Sequence, residues 1–382
     1  MPPIRLNRRR FIGCSAAAGW ALSQGMAVEG VEGTTPVRVG LIGLGNRGTS
    51  LLRTLLELTG APVTVVCDLE PRHRLRAQGI CEKAGKPRPE AIERVQQVLE
   101  RTDVDAVVVA LPCDLHAGVY TQAIRAGKHL YAEKPLGLTL AECDTLIVEA
   151  GRAPEITVHT GFQRRSNPRY CEGVALAHRG ELGELLEARA AWVSSNGPVN
   201  GYGNWLADRE RSGDWMVEQA VHVWDLLAWL AFGPPTSAVG HGRRDLFAHV
   251  QPNRDVTDHY AVSLEWPSGF HASFVHSWID PADDAFTGVS QRLIGTAGGL
   301  DFSTGVATFR DRTKPRLSLH PGPQPDTRLA LQAFLDSIRS ERHTTAPVSL
   351  AEARDATLTG LLVRKAVDER RVVMIDEIRS SG

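Results

Sequence analysis

Val37-Arg38-Val39-Gly40-Leu41-Ile42-Gly43-Leu44-Gly45-Asn46-Arg47-Gly48 is the stretch that decides the fold. Its first half is a compact, β-branched apolar run, and its second half is G-x-G-x-x-G, which leads straight into the helical pattern of Thr49 to Leu58. Between a strand and a helix, that string is a dinucleotide fingerprint. Gly43 permits the tight turn, Gly45 lets a pyrophosphate approach the backbone, and Gly48 allows close helix packing. The helix N-terminus then offers amide donors to phosphate, with Asn46 and Arg47 as further candidate contacts.

Downstream, Val63 to Cys67 reads as a second strand ending in Asp68, roughly twenty residues past the glycines, where a carboxylate accepts from ribose hydroxyls. Such a carboxylate repels a 2'-phosphate and favours NAD over NADP, although Arg72 and Arg74 lie close enough to reverse the preference; a helix cap is the plainer alternative for Asp68. Ala106 to Leu111 is a buried parallel-type strand closing on Pro112-Cys113-Asp114-Leu115-His116, followed by a helix to Ala126. Next comes Ala126-Gly127-Lys128-His129-Leu130-Tyr131-Ala132-Glu133-Lys134-Pro135, a short strand ending in a charged pair and a proline that bars its continuation. Alternating strands and helices predict a doubly wound parallel sheet with ligand above the carboxyl ends of its strands, where Lys134 stands.

The ordered set of G-x-G-x-x-G, Leu-Pro with His116 four residues after Pro112, and Ala-Gly-Lys-His running into Glu133-Lys134-Pro135 resembles the Gfo/Idh/MocA oxidoreductases. The resemblance continues through Gly161-Phe162-Gln163-Arg164-Arg165-Ser166-Asn167-Pro168 and Gly180-Glu181-Leu182-Gly183, and covers nearly everything after about residue 36. It implies an N-terminal Rossmann domain (36–156), a C-terminal α+β domain with an open, mainly antiparallel sheet (157–345), and a C-terminal helix and tail packing back on the first domain (346–382). It implies cofactor contacts at Pro112, His116 and Glu133, a place for Lys134 beside nicotinamide and substrate hydroxyl, and a homo-oligomer, dimer or tetramer.

In the second half, alternating or β-branched content predicts strands at 185–193, 238–242, 258–266, 269–278 and 291–295. A helix is expected over 213–230, placing Glu218 and His222, four residues apart, on one face. By the resemblance this segment carries Asp, then His four later, then Asp; here the first acid is Glu218, one methylene longer, and the last is Asp225. His222 is the expected general acid or base, since neutral imidazole takes a proton near neutral pH; Glu218 orients it or meets sugar hydroxyls. Arg164 and Asp225 are candidate substrate contacts. Five of the eight tryptophans lie between Trp192 and Trp229; Trp205 and Trp215 are the expected sugar platforms, Trp224 and Trp229 core. Glu218 and His222 with His276 or His159 could alternatively bind a metal, but no spacing specifies one, and none is expected.

A net charge of -1 over 382 residues leaves no polyanion-binding surface, so nucleic acid is not an expected partner. Arg8-Arg9-Arg10-Phe11-Ile12, followed by a mildly apolar stretch, has the form of a twin-arginine export signal within an export and linker region (1–33), with cleavage expected after Ala27. The five later cysteines contain no Cys-x-x-Cys pair, which speaks against a disulfide framework or a structural metal. No later stretch reads as a membrane helix.

The expectation is therefore an exported NAD(P)-dependent oxidoreductase that removes hydride from a secondary hydroxyl of a sugar, glycoside or cyclitol and keeps its cofactor tightly bound. Two alternatives stand beside it: a redox-neutral NAD-dependent glycoside hydrolase, and a non-catalytic sugar- or NAD-binding protein.

Overall fold

The computed structural model describes residues 35–320, 325–340 and 346–380; the export motif lies outside them. Residues from Pro36 onward form one compact unit. Six parallel strands, β1 (Val39–Ile42), β2 (Val63–Cys67), β3 (Glu90–Ile92), β4 (Ala106–Val109), β5 (His129–Ala132) and β6 (Val158–Thr160), lie in the order β3-β2-β1-β4-β5-β6. Helices α1 (Asn46–Leu56), α2 (Pro71–Lys83), α3 (Val95–Leu99), α4 (His116–Arg125) and α5 (Leu140–Arg152) connect them. Because successive strand residues face opposite ways, Leu41, Val66, Val108 and Tyr131 feed one apolar layer while Ile42, Val65, Val107 and Leu130 feed the other. Both faces are covered, which is why these strands read as continuous apolar runs.

Helix α6 (Pro168–His178) leads into a nine-stranded sheet built from β7 (Leu185–Val193), β8 (Ser237–Arg243), β9 (His259–Glu265), β10 (His271–Ser277), β11 (Gly288–Gly295), β12 (Gly298–Asp301), β13 (Val306–Phe309) and β14 (Leu317–Ser318), plus a last strand from the C-terminus. Its ladders are antiparallel except β7 with β10.

The expected helix over 213–230 is two pieces, with a short helix before it. Helix α7 (Arg209–Ser212), α8 (Trp215–Glu218) and α9 (Val221–Ala231) are separated by Gly213-Asp214 and Gln219-Ala220. The first break turns on Asp214, which takes φ 70° and is wholly buried. Its carboxylate accepts from the amides of Trp215 at 2.7 Å and Thr257 at 3.1 Å and from the Thr257 hydroxyl at 2.8 Å. Those bonds satisfy the buried charge and offset the cost of a left-handed non-glycine residue.

Two C-terminal helices tie the halves together. Helix α10 (Asp326–Arg339) buries Ala330, Leu331, Phe334 and Leu335 in the outer layer of the parallel sheet. Helix α11 (Leu350–Glu369) starts at Ser349 with a reciprocal capping box to Glu352 and packs on α5, α8, α9 and β8. A Cβ on its Gly360 would lie 2.7 Å from the Met216 carbonyl, so glycine sets how closely α11 approaches α8. The tail does not simply fold back on the first half: β15 (Val373–Met374) joins the nine-stranded sheet beside β8 before α12 (Ile375–Arg379).

Candidate active site

The Gly43–Gly48 turn leaves the carboxyl end of β1, at the middle of the parallel sheet. Gly43 sits at φ +87°, where a Cβ would be 2.2 Å from the Ala110 carbonyl, and a Cβ on Gly48 would be 1.9 Å from the Gly43 carbonyl. Gly45 differs, since a Cβ there meets nothing within 4 Å. That open face, with no side chain capping the first turn of α1 from Asn46, fits a pyrophosphate seated on backbone amides. Asp68, at the end of β2, accepts from the Leu44 amide at 2.7 Å and lies 3.2 Å from His73 Nδ1, so it borders the glycine turn on the β2 side.

Three residues expected as cofactor contacts have partners within the protein. Arg47 directs Nε and Nη2 at one oxygen of buried Glu133, at 2.7 and 2.6 Å, and Nη1 at Thr327. Glu133 therefore braces α1 against the end of β5, and its other oxygen faces the Lys134 amide at 3.3 Å. His116 lies within 2.7 Å of the Pro135 carbonyl and 2.9 Å of the Leu111 carbonyl, linking the two loops that rise from β4 and β5. Pro112 lies partly exposed in the first of those loops.

Lys134 stands where expected, at the mouth of β5, followed by a cis peptide to Pro135. Its Nζ donates to Glu218 Oε1 and to the Glu218 main-chain oxygen, each at 2.6 Å. Burial works against the ammonium, but the Glu218 carboxylate outweighs it and holds Lys134 above the usual lysine range. Glu218 ends α8 while His222 lies in the first turn of α9, so the two do not share one continuous helical face, and it is Lys134 that Glu218 meets.

His222 is buried and its Nδ1 has no hydrogen-bond partner. Burial, reinforced by the charges of Lys134, Arg164 and Arg47, pushes its imidazole well below the usual histidine range, so it is neutral and able to accept a proton from a hydroxyl. Phe162 meets its ring edge-on at 6.0 Å and Trp192 lies nearly parallel at 6.3 Å. Arg164 donates to the His222 carbonyl at 3.1 Å and lies over the rings of Tyr170 and Trp192. Trp192 and Phe162 are thus the rings around His222, and Tyr170 lies beyond them under Arg164. Trp192 belongs to the tryptophan cluster of the sequence, and nothing local marks Phe162 or Tyr170.

The expected platforms lie elsewhere. Trp215 is 2% exposed, packed against His276 and Trp278 from β10 and the residue just beyond it, which makes it a core residue. Trp205 rests on Cys113, Leu138 and Val217. Asp225 is also withdrawn from substrate: Arg165 grips it with Nη2 at 2.8 Å and Nε at 3.1 Å, both side chains nearly inaccessible, and Glu352 closes the other side of the guanidinium. His276 holds Gln219 at 2.6 Å, and burial takes its ring down to about 3. His159 packs on Phe334 in the other half of the molecule. Among the described residues no group of three His, Cys, Asp or Glu side chains is arranged to hold a metal.

A profile of the oxidoreductase family with NAD-binding Rossmann fold, GFO/IDH/MocA, matches residues 37–162, and the GFO/IDH/MocA C-terminal domain profile matches residues 174–301. A Shewanella amazonensis protein named glycosyl hydrolase family 109 protein is 32% identical over 196 residues, 47% of this chain and 42% of its own length. One of the same name from Saccharopolyspora erythraea is 34% identical over 212 residues, 49% and 46% of the two chains. The chain thus spans about half the length of the curated relatives it matches. The crystal structure of scyllo-inositol dehydrogenase from Lactobacillus casei with bound NAD(H) and scyllo-inositol superposes with TM-score 0.73 at 18% identity, over 90% of this chain and all of that one, which establishes the common fold.

Proposed function

The chain belongs to the Gfo/Idh/MocA family of NAD-binding oxidoreductases, and from that premise we propose that it oxidises a secondary alcohol of a sugar, glycoside or cyclitol. The observation that carries the reading is Lys134, held on Glu218 at the carboxyl edge of the sheet that carries the glycine cradle, with the buried His222, its Nδ1 without a partner, in the segment that follows Glu218. A bound nicotinamide dinucleotide supplies the hydride acceptor. Lys134, held as ammonium by Glu218, stabilises negative charge developing on the substrate oxygen. His222 accepts the hydroxyl proton, and Trp192, Tyr170 and Arg164 present flat and cationic faces suited to a polyol ring.

The NAD form is the preferred cofactor on this reading. Asp68 places a carboxylate at the ribose end, and three nearby arginines are engaged: Arg74 on the Asp68 and Leu69 carbonyls, Arg76 on the Leu44 carbonyl and the Thr49 hydroxyl, and Arg72 near Glu70 and the ring of Tyr202. A second reading, redox-neutral glycoside hydrolysis by oxidation, elimination, hydration and re-reduction, is favoured by the names of the family 109 relatives. Export by the twin-arginine route, motivated by Arg8-Arg9-Arg10-Phe11-Ile12, would suit either cycle when the cofactor travels inside the folded protein. Assembly into a dimer or tetramer is part of the same proposal.

Denaturing the purified protein and analysing the supernatant for nicotinamide tests the common premise; protein with neither bound cofactor nor NADH affinity would refute both cycles. Aryl glycosides supplied without added NAD then separate them. Aglycone release with solvent deuterium entering at sugar C2 supports hydrolysis, and net formation of NADH from free polyols supports the dehydrogenase. For export, Arg8→Lys with Arg9→Lys should leave the protein in the cytoplasmic fraction, and unchanged fractionation would exclude that route.

A further inference from the structure

Tyr202 belongs to the C-terminal half, yet its ring lies against the opening turn of α2 in the nucleotide-binding half. It meets His73 edge-on, centroids 4.9 Å apart at 67°, and Arg72 lies 4.9 Å from its ring centroid. His73 in turn faces Asp68, the ribose-end carboxylate, so Tyr202 touches the residue that backs the cradle.

Three residues later Trp205 packs against the small cluster in which Val217 meets Cys113 and Leu138 of the loops that rise from β4 and β5, and Arg211 then reaches Asp114, in the loop after β4, at 3.3 Å. Tyr202 is thus anchored at the β2 side of the sheet and Trp205 at the β4 side, while β1 lies between those strands. Residues Tyr202–Ala207 coil as a short, kinked 3-10 helix, so the step from the β2 side to the β4 side is made by the Tyr202 ring at one end and by the chain running on to Arg211 at the other. That stretch flanks the end of β1, where the Gly43–Gly48 cradle begins. Gly201, Gly203 and Asn204 take φ of 66°, 68° and 60°, which lets so short a segment turn sharply between its anchors.

The two ends are held unequally. The Trp205 end is tied down: the Leu206 amide donates to the Asn200 carbonyl, the Asp255 amide to the Ala207 carbonyl, and the Arg209 amide to Asp255. At the other end the Tyr202 side chain is half exposed and rests its ring on His73 and Arg72 of α2.

We propose that residues 200–206 form a strap over the bound dinucleotide, latched at Tyr202, and that opening this latch sets the rate at which the cofactor leaves. The proposal rests on the reading of the cradle as a dinucleotide site, and it assigns cofactor retention to residues outside the parallel-sheet half.

The test is the first-order release of NADH from loaded full-length protein, followed by fluorescence on dilution into excess NAD. Tyr202→Ala should release NADH about tenfold faster, the size expected for a lost ring pair and cation–π contact. Tyr202→Phe, which keeps the ring, should stay within about twofold of the wild type, as should Phe232→Ala on a remote exposed surface. Hydrogen exchange supplies the second measurement, with the amides of residues 201–206 slowing when NADH binds. Slow release that is the same in Tyr202→Ala, or exchange at 201–206 indifferent to NADH, overturns the strap and leaves the dinucleotide site standing. Wild-type protein that fails to take up NADH overturns both.

Discussion

Nζ of Lys134 lies 2.6 Å from Oε1 of Glu218, although the two residues sit on different sheets' connections and 84 positions apart. The contact joins the mouth of β5 to the broken end of α8, so one ion pair sets both the charge of the lysine and the position of the segment that carries His222. Burial alone would favour a neutral amine; Glu218 reverses that. A longer acid at this position changes its reach without changing its sign.

Glu218→Gln should therefore let the Lys134 value fall. If activity needs the ammonium, the alkaline limb of kcat/KM against pH moves to lower pH, with the protein still folded and loaded with NADH. An alkaline limb that stays in place would mean Lys134 is not the titrating group. Lys134→Met should remove turnover by about a thousandfold or more without affecting cofactor retention.

His222→Ala removes the buried acceptor whose Nδ1 has no partner. General-base loss of this kind costs about 10²–10⁴-fold in turnover. The effect belongs in kcat, because His222 has no assigned contact with the dinucleotide, and the NADH dissociation constant should stay within a few fold. A variant that loses NADH affinity in step with activity would place His222 on the cofactor instead.

The parallel sheet was legible because its signals are local: a β-branched run, a glycine spacing, an acid at a strand end. The strand expected over 185–193 matches β7 to the residue. The C-terminal site was less legible because distant contacts build it. Trp215 looks like a loop-flanking aromatic until Trp278 and His276 cover it from β10 and just beyond. The break after Glu218 has no proline or glycine to announce it, and the break before Trp215 depends on Asp214 finding Thr257, 43 residues on. Asp225 carries the right spacing for a substrate contact but is claimed by Arg165, which no periodicity predicts.

The glycines of the cradle separate binding from folding. Gly45→Ala introduces a Cβ into open space at φ −62°, an ordinary backbone angle, so the melting temperature should not change while NADH affinity falls at least tenfold. Gly48→Ala drives its Cβ to 1.9 Å from the Gly43 carbonyl, and the backbone shift should cost about 1–3 kcal/mol in stability. Equal affinity losses with no difference in melting would show that the cradle does not seat a pyrophosphate at Gly45.

Acid should unfold this protein through its buried neutral histidines. Burial lowers His159 from 6.5 to about 4. Between those values the unfolded chain binds the proton more readily than the folded one, so stability is full above about pH 6.5 and falls as the pH drops toward 4. His276, lowered to about 3, extends the same trend further into acid. For His159 alone, each pH unit in that window is worth about 1.4 kcal/mol, or about 2 kcal/mol between pH 6.5 and 5. His159 lies against Phe334, and its Nε2 has no hydrogen-bond partner, so His159→Leu deletes the titration without breaking a bond. Urea midpoints at pH 7.5 and 5 should differ less in the variant than in the wild type by the equivalent of that 2 kcal/mol. An unchanged difference would place the acid sensitivity in the carboxylates and their arginine partners.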